Sequence, residues 1–360
     1  VPVAYSWVAA CFLPILTSDI IQDAWVVAVL AALALALFEL GRHFRAGFLR
    51  WQGYSLAALA FAVYFVDDLS RDSSPINPAS HFSLVHSALL EVCILAVLGF
   101  WLAERTRAQN DPTILFERYI THLAAALATF AILAWFAVRF PSNWVPIPGA
   151  ALWVTPIWAV IATAILALAL LLGRRALSAQ AIAVAVLVLF RGLVVDLPGA
   201  TSATFWHGPL FHLGMASLVL LAALPFAFRI RAAATPQSRS SIPISNSLHA
   251  ALSRPEQWFF FVPFALMVIA LAAKLSSGHI TIAWSLLGVG VFLFALALGQ
   301  RSYRLAGLGL LLVSVVKILL MDVWALDPSD RYTTLIVLGL ALLAVSFLYT
   351  RFSSVIRKYL

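Results

Sequence analysis

Long apolar runs separated by short polar connections dominate this chain. The runs are rich in Ala and Leu and do not alternate between polar and apolar residues as a half-buried β-strand would. A helix needs about 20 apolar residues to cross a bilayer core that is about 30 Å thick. The pattern therefore predicts an all-α integral membrane protein with about twelve transmembrane helices. Their expected ranges are 3–17, 24–40, 51–67, 82–103, 116–138, 152–172, 177–195, 208–229, 257–274, 280–299, 304–322 and 331–351.

The composition favours lipid as the solvent of this chain. Hydrophobic residues make up 63% of it and charged residues only 11%, whereas a soluble domain carries about 25% charged residues. The net charge of +8 does not point to nucleic acid, because the basic residues lie between the apolar runs rather than on one patch. We therefore expect the lipid bilayer as a partner, no nucleic acid and no cofactor. Protein partners in the membrane and a small-molecule substrate of unknown identity stay open.

The basic residues also predict the orientation of the chain. Seventeen of the 23 lie in the connections after even-numbered helices and in the C-terminal tail, four lie in the other connections, and two lie within helices. Cytoplasmic loops of membrane proteins carry the excess of Lys and Arg. Both termini are therefore expected in the cytoplasm.

A polar pattern recurs three times, at intervals of 128 and 126 residues. Each copy has a small residue three positions after its start and an aspartate eighteen positions after it. Two copies have a cation at position thirteen, where the first copy has a valine. The sets are Arg50, Gly53, Val63 and Asp68; Ser178, Ala181, Arg191 and Asp196; and Arg304, Gly307, Lys317 and Asp322.

The recurrence predicts three tandem four-helix repeats. Because each copy has an even number of helices, the repeats are expected to be parallel rather than inverted. The expected boundaries are 1–110, 111–231 and 256–360, with a flexible cytoplasmic linker at 232–255.

The last 60 residues carry a family resemblance. The segments Arg304–Gly307, Val316–Asp322, Asp330–Arg331, Leu338–Gly339 and Phe347–Tyr349 resemble the C-terminal signature of large, many-spanning bacterial membrane proteins, the family of domain of unknown function 2339. The helix that follows His207 resembles the corresponding helix of that family, which tends to have Asn where this chain has His212. Members are usually longer, so the resemblance implies a short member or the C-terminal part of one. It also implies a bacterial inner-membrane location, and it supplies no activity.

Ionisable residues near the outer helix ends form the candidate polar site. A cation at membrane depth is costly, so Arg191 and Lys317 could hold an anionic substrate group or could form structural ion pairs that fix helix packing. Residues five apart on an α-helix point about 140° apart. We therefore expect Arg191 and Asp196 to pair with other helices or repeats rather than with each other. The candidate residues are Asp68, His81, His86, Arg191, Asp196, His207, His212, Lys317, Asp322 and Arg331.

The histidines do not predict a metal centre. His81 and His86, like His207 and His212, are five residues apart, and two ligands on one helix face need a spacing of three or four. Hydrogen bonding at the membrane interface, or sensing of external pH, explains such residues better. No catalytic residue and no metal ligand is assigned.

Three functions fit these features. The favoured hypothesis is a transporter-like or channel-like protein with a polar site near the outer face between repeats. The first alternative is a membrane scaffold or assembly subunit without catalysis. The second is a membrane enzyme acting on a lipid or glycan at the outer surface, with Asp68, His81, Asp196 and His207 as acid–base candidates. Transport predicts a water-filled cavity near Arg191 or Lys317, whereas a scaffold predicts dry helix contacts; whether the chain is an enzyme stays open, with the weight against it.

Overall fold

The computed structural model describes residues 7, 23–68, 90–103, 115–143, 150–199, 208–233, 252–322 and 328–351. Within these ranges all regular secondary structure is helical and there is no strand. The first half contains α1 (Asp23–His43), α2 (Gly47–Val63), π1 (Tyr64–Asp68), α3 (Leu90–Ala103), α4 (Leu115–Asn143), a 3-10 turn (Ala150–Trp153), α5 (Val154–Leu172), α6 (Arg175–Arg191) and π2 (Gly192–Asp196). The second half contains a helical turn (Leu197–Gly199), α7 (Pro209–Ala222), α8 (Leu224–Ala232), α9 (Pro255–Lys274), α10 (Ser277–Leu298), α11 (Arg301–Lys317), π3 (Ile318–Asp322) and α12 (Pro328–Arg351).

Eight helices in the described part of the chain are long and apolar enough to cross a membrane. The chain is thus a multi-pass helical membrane protein, as the apolar runs predict. The segments α7 and α8 together form one of these spans, so the helix labels do not count membrane passages. The eight spans are Trp25–His43, Tyr119–Val138, Ala150–Leu172, Ala176–Asp196, Pro209–Ala232, Pro255–Lys274, His279–Leu298 and Arg301–Leu320.

The eight spans do not account for the other four of the twelve expected helices. The range 51–67 falls on α2 and π1, which the eight spans do not include. Leu90–Ala103 and Tyr332–Phe347 are apolar but shorter stretches. The range 3–17 lies outside the described residues apart from Trp7. The count of twelve therefore stays a prediction.

Three connections between consecutive helices contain a residue with a left-handed backbone. Arg45, Gly173 and Gly299 have φ values of 53°, 63° and 65°, and they are the residues with positive φ within the described ranges. They lie 128 and 126 residues apart, which is the interval of the recurring aspartates. The Ala46 amide donates to the Gly41 carbonyl at 2.8 Å, and the Gln300 amide donates to the Ala295 carbonyl at 3.2 Å. In both cases the amide of the residue after the left-handed position bonds to the carbonyl five positions earlier. This bond satisfies a free carbonyl at the end of the helix, and it is common to the first and third hairpins.

The helix after each of these turns ends in a π-helical segment. The segments α2, α6 and α11 each contain 17 residues, and each continues into a five-residue π segment. The last residue of each π segment is one of the recurring aspartates, Asp68, Asp196 or Asp322. Asp196 does not end its helix as expected, because Leu197–Gly199 adds a further turn. A π-helix is rare, and here it occurs three times at the same distance from a residue with positive φ.

Close backbone contact joins the two helices of the first and third hairpins. A Cβ added at Gly53 would lie 2.9 Å from the Ala34 carbonyl oxygen and 3.0 Å from the Phe38 nitrogen. A Cβ added at Gly307 would lie 2.8 Å from the Gly288 oxygen and 2.9 Å from the Phe292 nitrogen. Each of the three residues in the first contact has its counterpart in the second contact 254 positions later in the sequence. Small residues of this kind let membrane helices approach closely without a hydrophobic driving force.

The chain divides into two compact units. One comprises residues 1–158 with 174–180, and the other comprises 159–173 with 181–360. In the first, Phe38, Tyr64 and Leu95 belong to one buried core. In the second, α7 packs on α9, and α10 packs on α11 and α12. The Phe260 and Tyr303 rings, stacked with centroids 3.7 Å apart, bring α9 and α11 together.

Candidate functional site

Arg191 and Asp196 form an ion pair at the end of α6. The Arg191 Nη2 atom lies 3.9 Å from the Asp196 Oδ1 atom, and the two side chains are 12% and 1% exposed. The expectation that these residues would not pair within their helix is therefore wrong. The reason is the π segment: the Leu197 amide donates to the Gly192 carbonyl, a bond between residues five apart. Such a turn brings residues five positions apart onto the same face, which an α-helix does not.

The backbone beside this ion pair is enclosed by two other helices of the same unit. A Cβ added at Gly192 would lie 2.8 Å from Leu213 Cδ2 of α7 and 2.8 Å from Leu266 Cδ1 of α9. The residue before Leu213 is His212, which is fully buried. Its Nδ1 atom lies 3.0 Å from the Gly208 carbonyl oxygen, and since a carbonyl only accepts, Nδ1 carries the proton. A guanidinium, a carboxylate and an imidazole thus lie in one part of this unit.

Lys317 bonds across to a neighbouring helix. Its Nζ atom donates to Thr281 Oγ1 of α10 at 2.9 Å, and Thr281 has no exposed surface. The Thr281 hydroxyl is therefore one partner of this cation. Lys317 is the last residue of α11, directly before π3.

The threonine and the cation occur together along the chain. Thr155 lies 126 residues before Thr281, as Arg191 lies 126 residues before Lys317, and Thr155 is fully buried as well. The corresponding positions in the first hairpin hold Val27 and Val63. The threonine and the cation are thus both present at two of the three sets of positions, and both are replaced by valine at the first set.

The remaining candidate residues are only partly described. The structure gives the backbone of Asp68, Asp322 and Arg331 and not their side chains, while His81, His86 and His207 lie outside the described residues. The structure therefore brings together Arg191 and Asp196, buries His212 on α7, and places Lys317 against Thr281. Their relation to the other candidates stays a prediction.

Two buried glutamates outside the candidate set lie at the starts of helices, and each forms an ion pair with an arginine. Glu117, near the start of α4, accepts from Tyr54 at 3.1 Å and pairs with Arg50 at 3.3 Å. Glu256, near the start of α9, pairs with Arg231 at 2.7 Å. The signal that could have identified them is an acidic residue in the first turn of a helix that follows basic connections, where the helix dipole favours it.

An apolar groove of about 460 Å³ lies in the first unit. It runs between α1 and α3, and none of the candidate polar residues lines it. No group of three His, Cys, Asp or Glu side chains among those described could hold a metal ion. The groove is lined by Ala28, Ala31, Ala32, Leu35, Leu90, Cys93, Ile94, Val97 and Leu98.

A family model described as predicted membrane protein (DUF2339) matches residues 1–352. The chain belongs to the DUF2339 family. The resemblance seen in the C-terminal part therefore extends over essentially the whole chain. No curated protein sequence and no solved structure matches it. Membership in DUF2339 thus agrees with the apolar helices in describing a membrane protein, and any activity must be argued from the site itself.

Proposed function

We propose that this DUF2339 protein is transporter-like or channel-like, with Arg191 and Asp196 as the polar centre of a site near the outer ends of its helices. The observation that carries this proposal is a buried ion pair on a π-helical turn within the span Ala176–Asp196. Ionisable residues inside membrane spans are costly, and they commonly mark the path of an ion or solute. Single π turns within α-helices also occur frequently at functional sites.

The transporter-like architecture proposed is twelve helices in three parallel four-helix repeats. Its support is the shared interval of the left-handed turns Arg45, Gly173 and Gly299 and of the π segments that follow them. The matching close contacts at Gly53 and Gly307 support it further. Parallel repeats place the three π segments at one level of the membrane.

The proposed location is the bacterial inner membrane with both termini in the cytoplasm. Its support is the distribution of basic residues, seventeen against four, together with the positive-inside rule. In this orientation the hairpin turns face the cytoplasm, and the π segments lie toward the outer side.

A π turn gives the ion pair a way to open. Conversion of the Gly192–Asp196 segment to regular α-helix would rotate Asp196 away from Arg191, because residues five apart on an α-helix point in different directions. The two charges would then be available to a passing ion or solute. The site proposed around this pair comprises Asp68, His81, His86, Arg191, Asp196, His207, His212, Lys317, Asp322 and Arg331.

A scaffold or assembly subunit is the second candidate, and a specific observation favours it. Lys317 is bonded to a buried threonine, and the corresponding positions of the first copy are both valine. In the proposed repeat, valines replace both the cation and this hydrogen-bonding threonine, which favours a packing role for Lys317. The catalytic alternative depends on Asp68, His81 and His207, whose side chains are not described, so no observation favours it.

Measuring the access of water to position 196 distinguishes the transporter hypothesis from the scaffold hypothesis. In a variant with Cys11→Ser and Cys93→Ser, Asp196→Cys is treated with a charged, membrane-impermeant methanethiosulfonate reagent in right-side-out and inside-out vesicles. Val194→Cys is the matched control, since Val194 lies in the same π segment, is 54% exposed on the protein surface and is expected to face lipid. Transport predicts that the cysteine at 196 reacts from at least one side while the control does not.

A dry ion pair gives the opposite result. If neither cysteine reacts from either side, the site holds no water, and the scaffold replaces the transporter. Because Asp196→Cys also breaks the ion pair, Arg191→Cys, which leaves the Asp196 carboxylate in place, provides a second probe and must give the same answer.

A further inference from the structure

Arg304 is a nearly buried arginine in the first turn of α11. It is 9% exposed, and none of the ion pairs among the described residues includes it. A buried charge normally has a partner, because desolvation without one is costly. The guanidinium nitrogens of Arg304 are not among the buried atoms that lack a partner, so they stay accessible to an anion from outside the chain.

The corresponding arginine of the first hairpin shows what such a position binds. Arg50 follows the left-handed residue Arg45 by five positions, as Arg304 follows Gly299 by five. Arg50 pairs with the Glu117 carboxylate at 3.3 Å. The position after this turn thus places an arginine where it meets an anionic group.

The one described carboxylate near the start of α11 is already engaged. The Tyr303 hydroxyl donates to the Glu256 backbone oxygen at 2.7 Å, which ties the start of α11 to the start of α9. The Glu256 carboxylate, in turn, accepts from Arg231 at 2.7 Å. Besides Arg304, the exposed Arg254 and Arg301 also lie at these helix starts. Positive charge is therefore in excess at this end of the unit.

Arg304 lies three residues inside the span Arg301–Leu320, or about 4.5 Å along the helix. This depth matches the boundary between headgroups and hydrocarbon. We propose that Arg304, with Arg301 and Arg254 beside it, binds the phosphate of an anionic phospholipid headgroup. Arginine suits this role because its planar guanidinium binds phosphate through two parallel hydrogen bonds, and basic pockets between membrane helices bind such headgroups. The inference does not depend on transport.

Lipid titration of the purified full-length chain tests this site. The protein is kept in an uncharged detergent and titrated with phosphatidylglycerol, with phosphatidylcholine or with inorganic phosphate, and binding is followed by native mass spectrometry and by thermal unfolding. Phosphatidylglycerol is expected to form retained adducts and to raise the Tm, whereas phosphatidylcholine and phosphate are not. Arg304→Gln should weaken phosphatidylglycerol binding about fivefold, the effect of one arginine at the membrane surface.

Arg50→Gln is the matched control, since Arg50 holds the same position but has a protein carboxylate as its partner. It should lower the Tm and leave phosphatidylglycerol affinity within twofold of wild type. Should Arg304→Gln fail to fold, Arg304→Lys keeps the charge and loses the paired hydrogen bonds, so it should still bind the lipid more weakly than wild type.

Three results would overturn the proposal. They are unchanged phosphatidylglycerol affinity in the Arg304 variants, equal stabilisation by inorganic phosphate, and the absence of phosphatidylglycerol adducts on the wild-type protein. The second would assign the site to a soluble anion, and the third would leave an acidic polypeptide as its partner.

Discussion

The Arg191 guanidinium and the Asp196 carboxylate pair at 3.9 Å although the two residues are five positions apart in one continuous helix. The π segment makes this pairing possible, because its hydrogen bonds join residues five apart. Since the carboxylate is 1% exposed, water compensates little of its charge. Arg191 therefore contributes to the stability of the helix end as well as to its electrostatics.

Breaking the Arg191–Asp196 pair from one side should be more harmful than removing both charges. Arg191→Met leaves the Asp196 carboxylate buried without its partner, and we expect a loss of about 3 kcal/mol in the free energy of unfolding. The double variant Arg191→Met with Asp196→Leu should recover at least half of that loss, because no buried charge is left. Denaturant unfolding in mild detergent measures both. Strictly additive losses in the single and double variants would show that the two groups do not interact.

The Lys317–Thr281 hydrogen bond also predicts that the single variant Thr281→Val is less stable than the double variant. Thr281→Val should cost about 1.5–3 kcal/mol, because a hydrogen bond to a charged group is lost while the cation stays in place. Adding Lys317→Val reproduces Val27 and Val63 of the first hairpin and should restore most of the stability. Thermal unfolding checks the order of the three proteins. A double variant less stable than Thr281→Val alone would contradict the packing role of this cation.

The close contact at Gly307 predicts a strong effect of a single methyl group. Gly307→Ala places a carbon 2.8 Å from the Gly288 oxygen, so α10 and α11 must separate, at a cost of about 1–3 kcal/mol. Gly309→Ala is the control on the same helix, because a Cβ there meets no atom within 4 Å. Comparison of the Tm values is sufficient. Equal Tm values for the two variants would rule out the tight hairpin.

Arg231 should matter more than its exposed neighbour Arg229. Arg231→Gln removes the cation that bonds the buried Glu256 carboxylate at 2.7 Å. Because the Arg231 side chain is 46% exposed, solvent screens the pair, and we expect a moderate loss of about 1–2 kcal/mol. Arg229→Gln should change the free energy of unfolding by less than about 0.5 kcal/mol. The difference between the two should shrink in high salt, and a difference independent of salt would argue against an electrostatic cause.

The sequence predicts the helical class because apolar runs report directly on the solvent around a helix. The spacing of Asp68, Asp196 and Asp322 in the sequence also marks where the three π segments end. The family signature is recognisable in the last 60 residues, whereas the family model matches nearly the whole chain.

Other features of the site depend on geometry that the sequence does not display. On a regular α-helix Arg191 and Asp196 would point in different directions. The π segment changes which residues share a face. Thr281 is inconspicuous within an apolar run until Lys317 is seen to bond to it. Glu256 and Arg231 are 25 residues apart, so only the folded chain shows that they pair.

The proposed architecture of three parallel repeats requires that the connections at Arg45, Gly173 and Gly299 face the same side of the membrane. Single cysteines at Ala46, Arg174 and Gln300, each directly after a left-handed residue, test it in the variant without native cysteines. An impermeant thiol reagent should label all three in inside-out vesicles and none in right-side-out vesicles. Labelling of any one of them from the face opposite to the other two would contradict the parallel arrangement.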